Sequence, residues 1–274
     1  MPRKLSKQST SISLASTSTT NTTNTNSTSI SSSSISSLLP SVLTDNLPLP
    51  KCVVFDLDYT LWPFWVDTHV YGPLRAANSQ HSACIDKVGE TFSFYMDVPG
   101  VLHGLSLSGV RLAVASRTHA PELARDMLKL LHVPGLTSAL ANTTTTTGRS
   151  ASAASTVGVD GEDGLNTNNS GTGGGDSRGA SSGKDKDKTK EKSRKAIDFF
   201  DAGLEIYPSS KVRHFEAIHK RTGIPYTEML FFDDESRNRD TESLGVTMWL
   251  VRDGVTWAEV ESGIREWRRR RGVE

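Results

Sequence analysis

Two short apolar segments of the chain each run directly into acidic residues. CVVFDLD covers residues 52–58, and MLFFDD covers residues 229–234. Apolar runs of this length, rich in Val and Phe, are typical of strands that are buried on both faces of a parallel sheet. The two segments therefore predict a sheet-based domain in which carboxylates follow two of the buried strands.

Segments with strand and helix patterns alternate along much of the remaining chain. Three further strands are predicted, at residues 110–115, 204–206 and 246–251. Five helices are predicted, at residues 99–108, 119–133, 209–223, 236–244 and 256–271. Such alternation requires crossover connections, which place helices on both faces of a mostly parallel sheet. The expected fold class is α/β and Rossmann-like.

Two polar stretches do not fit this alternation. Residues 1–48 are mostly Ser, Thr and Asn, and residues 142–195 pass from a Thr run through Gly, Ser and Asn to the charged string KDKDKTKEKSRK. Such compositions bury too little apolar surface to offset the entropy lost on ordering the chain. We expect a disordered N-terminal tail and a disordered insert, with one domain formed by residues 49–141 and 196–274.

Charge and cysteine content limit the possible partners and compartments. The chain has 31 basic and 31 acidic residues and two cysteines. A balanced charge gives no support for nucleic-acid binding, and no apolar stretch is long enough to span a membrane. The few cysteines suit a reducing compartment. We expect a cytoplasmic monomer, with a nuclear location as the alternative; organelle targeting by the tail is disfavoured because the tail has few Arg residues.

A run of four arginines, residues 268–271, ends the last predicted helix. Cations at a helix C-terminus interact favourably with the helix dipole. We therefore expect this run to be a solvated helix end rather than a nuclear-import signal.

Polar and charged side chains follow four of the predicted strands, where open parallel sheets bind their ligands. These residues are Asp56, Asp58, Ser116, Arg117, Lys211, Asp233 and Asp234. Clustered carboxylates repel one another unless a cation neutralises them, and oxygen ligands suit Mg²⁺. Lys, Ser and Arg can hold the oxygens of a phosphate group. The pattern indicates a phosphoryl-transfer site.

Each member of this set also has a simpler explanation. Two acids after a strand often only form a turn, Ser116 can cap the following helix, and Lys211 can be a solvated lysine in the first turn of a helix. The joint occurrence of the set, with each member at a strand end, favours the functional interpretation.

Four motifs in the chain resemble those of the haloacid dehalogenase (HAD) superfamily. They are DLDYT, ASRT, the lysine of YPSSKVRHFE, and FFDDESRN. Longer segments, among them FDLDYTLWPFWVDTHV and LGVTMWLVRDG, resemble the eukaryotic magnesium-dependent phosphatase type-one family. The resemblance covers about residues 50–135 and 197–260 and omits the tail and the insert.

The resemblance implies a role for most of the motif residues. Asp56 would be the nucleophile that forms an aspartyl-phosphate, and Asp58 the general acid and base. The Asp56 carboxylate, the Asp58 backbone carbonyl and Asp233 would bind Mg²⁺. Ser116 and Arg117 would bind the phosphoryl oxygens, and Lys211 would neutralise the nucleophile and the transferring group. The supporting residues Asp234 and Asn238 would orient metal-bound water or Lys211.

Residues 61–98 follow the first strand and are too few for a separate cap domain, so they predict a minimal cap loop. We expect Trp62 and Phe64 to belong to the core and others of its aromatic residues to form a rim. His69 is a candidate substrate contact, although a lone loop histidine is more often simply solvated.

An open site and the family resemblance imply a phosphorylated small molecule or protein as substrate. The implied substrates are aryl phosphates, including phosphotyrosine, and sugar phosphates, with protein-tyrosine-phosphatase activity as one form. Two alternatives stay open. A phosphotransferase on the same scaffold would differ only in the acceptor, and a receiver-like signalling module would place its acidic pair first and its lysine last.

Overall fold

The computed structural model describes residues 39–139 and 192–273. Its strands are β1 (Cys52–Phe55), β2 (Arg75–Ala76), β3 (Cys84–Ile85), β4 (Thr91–Phe92), β5 (Arg111–Ser116), β6 (His132–Val133), β7 (Arg194–Lys195), β8 (Gly203–Ile206), β9 (Met229–Asp233) and β10 (Thr247–Leu250). Its α-helices include α1 (Val66–His69), α2 (Val98–Leu107), α3 (Pro121–Leu130), α4 (Lys211–Thr222) and α5 (Trp257–Arg271). Residues 236–244, predicted to be helical, form a 3₁₀ helix.

The central sheet has five strands in the order β10-β9-β1-β5-β8, and every pairing in it is parallel. At its centre, Phe55 of β1 lies opposite Val114 of β5 and Phe232 of β9. This register brings the carboxyl ends of β1, β5 and β9 to one edge of the sheet. The prediction of a mostly parallel α/β sheet is confirmed.

Both faces of the sheet are covered, because alternate residues of the strands enter two separate apolar clusters. Val53 and Phe55 pack in the cluster that contains residues of α2, α3 and α5. Cys52 and Val54 pack in a second cluster with Phe215 of α4. The period of two along a strand sends neighbouring side chains to opposite faces, so a strand buried on both sides reads as continuously apolar.

Helix α4 begins and ends at residues that the sequence allows to be recognised. The Ser210 hydroxyl accepts a hydrogen bond from the Arg213 backbone N–H at 3.3 Å, which caps the N-terminus. Gly223 follows the last residue with φ of 69°, the left-handed conformation that favours glycine at a helix end. The cap makes Lys211 the first residue of α4, and a short loop, residues 207–210, joins it to the end of β8.

The cap region between β1 and α2 forms a small layer of its own. β2, β3 and β4 make a three-stranded antiparallel sheet. Trp62 and Phe64 are buried and stack with their ring centroids 5.4 Å apart. These two residues belong to the core, as the sequence suggests.

The structure corrects the boundaries of the two polar stretches. Residues 39–48, assigned to the disordered tail, contain a 3₁₀ turn (Ser41–Leu43) in which Val42 is buried. Residues 194 and 195, assigned to the insert, form β7 and pair with β6. The remaining predicted disorder, at residues 1–38 and 142–191, lies outside the described residues.

The interaction that anchors the N-terminal arm, residues 39–48, also corrects the interpretation of the arginine run. Arg268 is only 2 % exposed, and its guanidinium contacts the Asp45 carboxylate at 2.7 and 3.0 Å. It also donates to the backbone carbonyls of Val42 and Pro48, each at 2.9 Å. Arg268 is therefore a buried anchor for the arm, whereas Arg269 is exposed and pairs with Glu266.

Arg268→Met is expected to lower the free energy of unfolding by about 2–3 kcal/mol, because it leaves three backbone carbonyls and a carboxylate without their donor. The Arg268 hydrogen bond lowers the pKa of Asp45. A carboxylate with a depressed pKa stabilises the fold above its unfolded pKa, so the difference between variant and wild type should shrink as pH falls through the acidic range. Urea unfolding at neutral and acidic pH measures both effects.

Arg269→Met is the matched control for this experiment. It removes an exposed pair on the same helix turn and should cost less than about 0.5 kcal/mol. Equal losses in the two variants would show that the arm is not held by Arg268.

Among residues 39–139 and 192–273, no helix combines the length and the apolar composition needed to cross a bilayer.

Candidate active site

A cavity of about 570 Å³ opens at the carboxyl edge of the central sheet. Its lining is mainly polar and charged, and it comes from the ends of β1, β5 and β9, the start of α1 and the loop before α4. The lining residues are Asp56, Asp58, Trp65, Asp67, Thr68, Ser116, Arg117, Thr118, His119, Pro208, Ser209, Asp234, Glu235 and Arg237.

Three aspartates converge beside this cavity: Asp56 and Asp234 line it, and Asp233 is fully buried. One carboxylate oxygen from each of Asp56, Asp233 and Asp234 lies within 4.8 Å of the others. The convergence follows from the sheet, because the Asp56 backbone N–H donates to the Phe232 carbonyl at 3.0 Å and so aligns the ends of β1 and β9. The structure thus brings together Asp56 and Asp233, two residues that the sequence assigns to one metal site.

Lys211 lies between two of these carboxylates. Its ammonium is 2.8 Å from Asp56 Oδ1 and 2.9 Å from Asp233 Oδ2, and it donates to the Ala115 carbonyl at 2.5 Å. The side chain is 1 % exposed. Burial lowers the pKa of Lys211, but Asp56 and Asp233 raise it more, so the net shift is upward and the ammonium stays charged.

The charges of the group suit a divalent cation. When ionised, the three carboxylates outnumber the Lys211 ammonium and leave two negative charges uncompensated. Burial is the main cause that raises the pKa of Asp56 to about 6 and that of Asp234 to about 7. The raised pKa values show that nearby positive charge does not fully balance the charges of the ionised carboxylates. A set of oxygen ligands is the one that Mg²⁺ prefers. The residues present therefore fit Mg²⁺.

Asp58 lies beside this group, and its side chain is held separately. Its Oδ1 accepts hydrogen bonds from Trp62 Nε1 at 2.7 Å and from the Val66 backbone N–H at 3.2 Å. Burial raises the pKa of Asp58 to about 7 despite these bonds. Such a carboxyl can carry a proton near neutral pH. The side chain is outside the group of three aspartates, and metal binding by the Asp58 backbone carbonyl stays a prediction.

The two predicted supporting residues, Asn238 and Asp234, lie in different surroundings. Asn238 is buried, and its Nδ2 donates to both oxygens of Asp233 at 2.9 Å, while its Oδ1 accepts from Arg117 at 3.2 Å. Asn238 therefore holds Asp233 and Arg117, and its predicted role in orienting metal-bound water or Lys211 stays a prediction. Asp234, predicted as a supporting residue, lies in the metal-binding group itself.

Ser116, the last residue of β5, and Arg117 form another side of the cavity. Ser116 is buried at the cavity wall, and its Oγ lies 3.4 Å from the Thr118 backbone N–H. Arg117 is partly exposed, with its guanidinium 3.8 Å from Glu235. A hydroxyl and a guanidinium facing the aspartate group can bind the oxygens of a phosphate.

His69 is not brought to the site. It is exposed at the end of α1 and is not a lining residue of the cavity. Its Nδ1 accepts a hydrogen bond from the Trp65 backbone N–H at 3.2 Å. The structure thus places His69 against Trp65 and not in the cavity lining, and a contact between His69 and a substrate stays a prediction.

Several lining residues were not predicted from the sequence. Glu235 pairs with Arg237 at 2.5 Å. It directly follows Asp233 and Asp234, so three successive acidic residues at the end of β9 could have indicated that it lies at the site. Asp67 and His119 meet across the cavity mouth, where Asp67 Oδ2 accepts from the His119 backbone N–H at 3.2 Å. Nothing in the local sequence of either residue signals this pair, because the fold brings together α1, which contains Asp67, and the loop before α3, which contains His119.

Comparisons with known proteins place the chain in a family. Residues 48–157 and 184–270 match the acid phosphatase family. A HAD-like hydrolase superfamily protein of Schizosaccharomyces pombe is 38 % identical over 75 % of this chain and 87 % of its own length. Magnesium-dependent phosphatase 1 of Homo sapiens is 32 % identical over 79 % of this chain and 86 % of its own length. A putative magnesium-dependent phosphatase of Saccharomyces cerevisiae is 29 % identical over 76 % of this chain and 92 % of its own length.

A solved phosphatase domain from Bacteroides fragilis, complexed with Mg, aligns with a TM-score of only 0.38 at 13 % identity, covering 88 % of this chain and 44 % of that chain; it adds nothing to the assignment. The family match and the relatives confirm the resemblance on which the site was predicted, and the aspartate group agrees with Mg²⁺ as the cofactor. The chain belongs to the acid phosphatase family, within the HAD superfamily.

Proposed function

We propose that this protein hydrolyses phosphomonoesters in a Mg²⁺-dependent reaction in which Asp56 takes up the phosphoryl group. The observation that carries the proposal is the position of Lys211, which contacts both Asp56 and Asp233 beside an aspartate group with excess negative charge. A lysine and a divalent cation together would allow a buried carboxylate to approach an anionic phosphate.

Mg²⁺ would be held by Asp56, Asp233 and Asp234, with the Asp58 backbone carbonyl as a further ligand. When bound, it would supply the positive charge that offsets repulsion between these carboxylates and the phosphate oxygens. Asn238 would keep Asp233 in place through its two hydrogen bonds.

In the first step, a carboxylate oxygen of Asp56 attacks phosphorus, and the bond from phosphorus to the leaving oxygen breaks. Lys211 contacts Asp56 Oδ1, and Ser116 and Arg117 face the phosphoryl oxygens. Asp58 donates its proton to the leaving oxygen, which departs as an alcohol or phenol. A pKa of Asp58 near 7 supports this role, because the carboxyl then carries a proton in part of the molecules at neutral pH.

In the second step, water attacks the aspartyl-phosphate, and Asp58, now ionised, takes the proton from the water. The products are inorganic phosphate and the free Asp56 carboxylate. The two hydrogen bonds from Trp62 and Val66 stabilise the ionised form of Asp58 between the steps. Because Asp58 can act as acid and base beside the nucleophile, it favours water as the acceptor of the phosphoryl group and disfavours a phosphotransferase.

The proposed substrates are aryl phosphates, including phosphotyrosine, and sugar phosphates, either as small molecules or attached to protein. The small contribution of the cap region supports this range, because residues 61–98 contribute only Trp65, Asp67 and Thr68 to the cavity lining. A cytoplasmic monomer stays the expected form of the protein.

Hydrolysis of p-nitrophenyl phosphate with and without Mg²⁺ tests the proposal. We expect chelation by EDTA to lower the rate at least about a hundredfold, and added Mg²⁺ to restore it, since the aspartate group lacks charge balance without a cation. Asp234→Asn should raise the Mg²⁺ concentration for half-maximal rate about tenfold.

Asp240→Asn is the control for this test, because Asp240 is exposed and lies outside the cavity lining. A wild-type rate that is insensitive to EDTA would contradict the proposed function.

A further inference from the structure

Trp65 is the one tryptophan among the cavity-lining residues, and it is half exposed. Its relative exposure is 50 %, against 0 % for Trp62 and 6 % for Phe64. Three aromatic residues within four positions therefore have different environments: two fill the core, and the third is half exposed in the lining of the cavity. An aromatic ring in the wall of the cavity can contribute a large apolar contact to a ligand bound there.

The Trp65 ring is held in place before any ligand binds. It meets Tyr59 edge-on with ring centroids 5.1 Å apart, and its ring lies 5.5 Å from that of His69. His69 also accepts the Trp65 backbone N–H at 3.2 Å. A preorganised ring loses little entropy when it stacks on a ligand, so stacking would contribute efficiently to binding.

The segment that carries Trp65 is joined to both sides of the reaction centre. The next residue, Val66, donates its backbone N–H to Asp58 Oδ1 at 3.2 Å. On the other side, Asp67 Oδ2 accepts the His119 backbone N–H at 3.2 Å and lies 3.6 Å from the His119 ring. The ring is therefore held at a fixed place relative to the carboxyl that would protonate the leaving oxygen.

We propose that Trp65 is a specificity-determining residue that binds the leaving group by stacking and so favours planar, aromatic leaving groups over aliphatic ones. This inference rests on the proposed function, since it requires Asp58 to face the leaving oxygen. A group attached to that oxygen would occupy the cavity that Asp58 and Trp65 both line. Pro208 also lines this cavity and is a second apolar residue available to contact such a group.

The test compares Trp65→Ala and Trp65→Phe on phenyl phosphate and glycerol phosphate in saturating Mg²⁺. For Trp65→Ala we expect KM for phenyl phosphate to rise about tenfold, as loss of an aromatic contact implies, with KM for glycerol phosphate within about twofold of wild type. Trp65→Phe should stay close to wild type on both substrates. Unchanged melting temperatures would show that the fold is intact.

Tyr71→Ala is the matched control. Tyr71 is 51 % exposed and belongs to the same segment, but it does not line the cavity. Its removal should leave both KM values unchanged. Equal losses on the two substrates in Trp65→Ala, or no change on either, would overturn the assignment of Trp65.

Binding of non-hydrolysable analogues separates this inference from the proposed function. Calorimetry should show that Trp65→Ala binds phenylphosphonate more weakly than wild type does. The affinity for methylphosphonate should be the same in both proteins. That result would support the role of Trp65 even if the wild type hydrolysed neither ester. A lack of hydrolysis would contradict the proposed function and not the role of Trp65 in binding. Equal affinities of wild type and Trp65→Ala for phenylphosphonate would overturn the role of Trp65.

Discussion

Asp56→Asn is expected to lower kcat for p-nitrophenyl phosphate by at least about a thousandfold, because an amide cannot take up the phosphoryl group as a carboxylate does. The substitution keeps the size and shape of the side chain. It also removes one of the crowded charges, and Lys211 keeps its contact with Asp233 at 2.9 Å. The fold should therefore be retained, and steady-state kinetics together with thermal melting measure both expectations.

A variant that is as stable as wild type and keeps a tenth or more of its rate would contradict the assignment of Asp56. Asp253→Asn is a suitable control, because Asp253 is exposed and is not among the lining residues. It should leave kcat within about twofold of wild type, as expected for a surface substitution distant from the reacting groups.

Lys211→Met should impair both catalysis and stability. The ammonium is the buried partner of Asp56 and Asp233, and removing it leaves two buried carboxylates facing each other. Breaking a buried ion pair on one side typically costs about 3–5 kcal/mol. We expect a loss of about 3 kcal/mol in EDTA at neutral pH, and a fall in kcat of at least about a hundredfold.

The pH dependence of this loss follows from the direction of the pKa shifts. The Lys211 charge lowers the pKa of Asp56, although burial still raises it to about 6. Without the lysine, the folded-state pKa rises further above its unfolded value, which destabilises the fold at high pH. The loss should therefore be largest above neutral pH and shrink as pH falls and the carboxyl becomes protonated.

Mg²⁺ should restore part of the stability of Lys211→Met, because a cation that binds only the folded state stabilises it. Lys129→Met, which removes an exposed lysine paired with Asp126, should change stability by less than about 0.5 kcal/mol. Urea unfolding of both variants in EDTA and in Mg²⁺ makes the comparison. A Lys211→Met protein as stable as wild type in EDTA would show that the buried pairs contribute little.

The parts of the fold that could be predicted are those with a local cause. The continuous apolar runs of β1 and β9 are predictable because both faces of each strand are buried. The end of α4 is predictable because glycine is the residue type that most easily takes the left-handed conformation at a helix end, and Gly223 does so. The convergence of Asp56 and Asp233 also has a simple origin, since parallel strands carry their terminal residues to the same edge.

The parts that could not be predicted depend on contacts between distant segments. Arg268 and Asp45 are 223 positions apart, so nothing local distinguishes this arginine from the exposed arginines that follow it. The same holds for Asp67 and His119, which are 52 positions apart. The position of His69 against Trp65 also could not be predicted, because a hydrogen bond between its ring and the start of its own helix cannot be read from residue type.

The most direct test of the account is to trap the phosphorylated enzyme. Acid quenching during turnover of a phosphomonoester with Mg²⁺, followed by proteolysis and mass spectrometry, locates any phosphoryl group bound to the protein. We expect it on the peptide that contains Asp56, and on no peptide of Asp56→Asn. Phosphoryl transfer to a different residue, or undiminished trapping in Asp56→Asn, would contradict the role of Asp56 as the nucleophile.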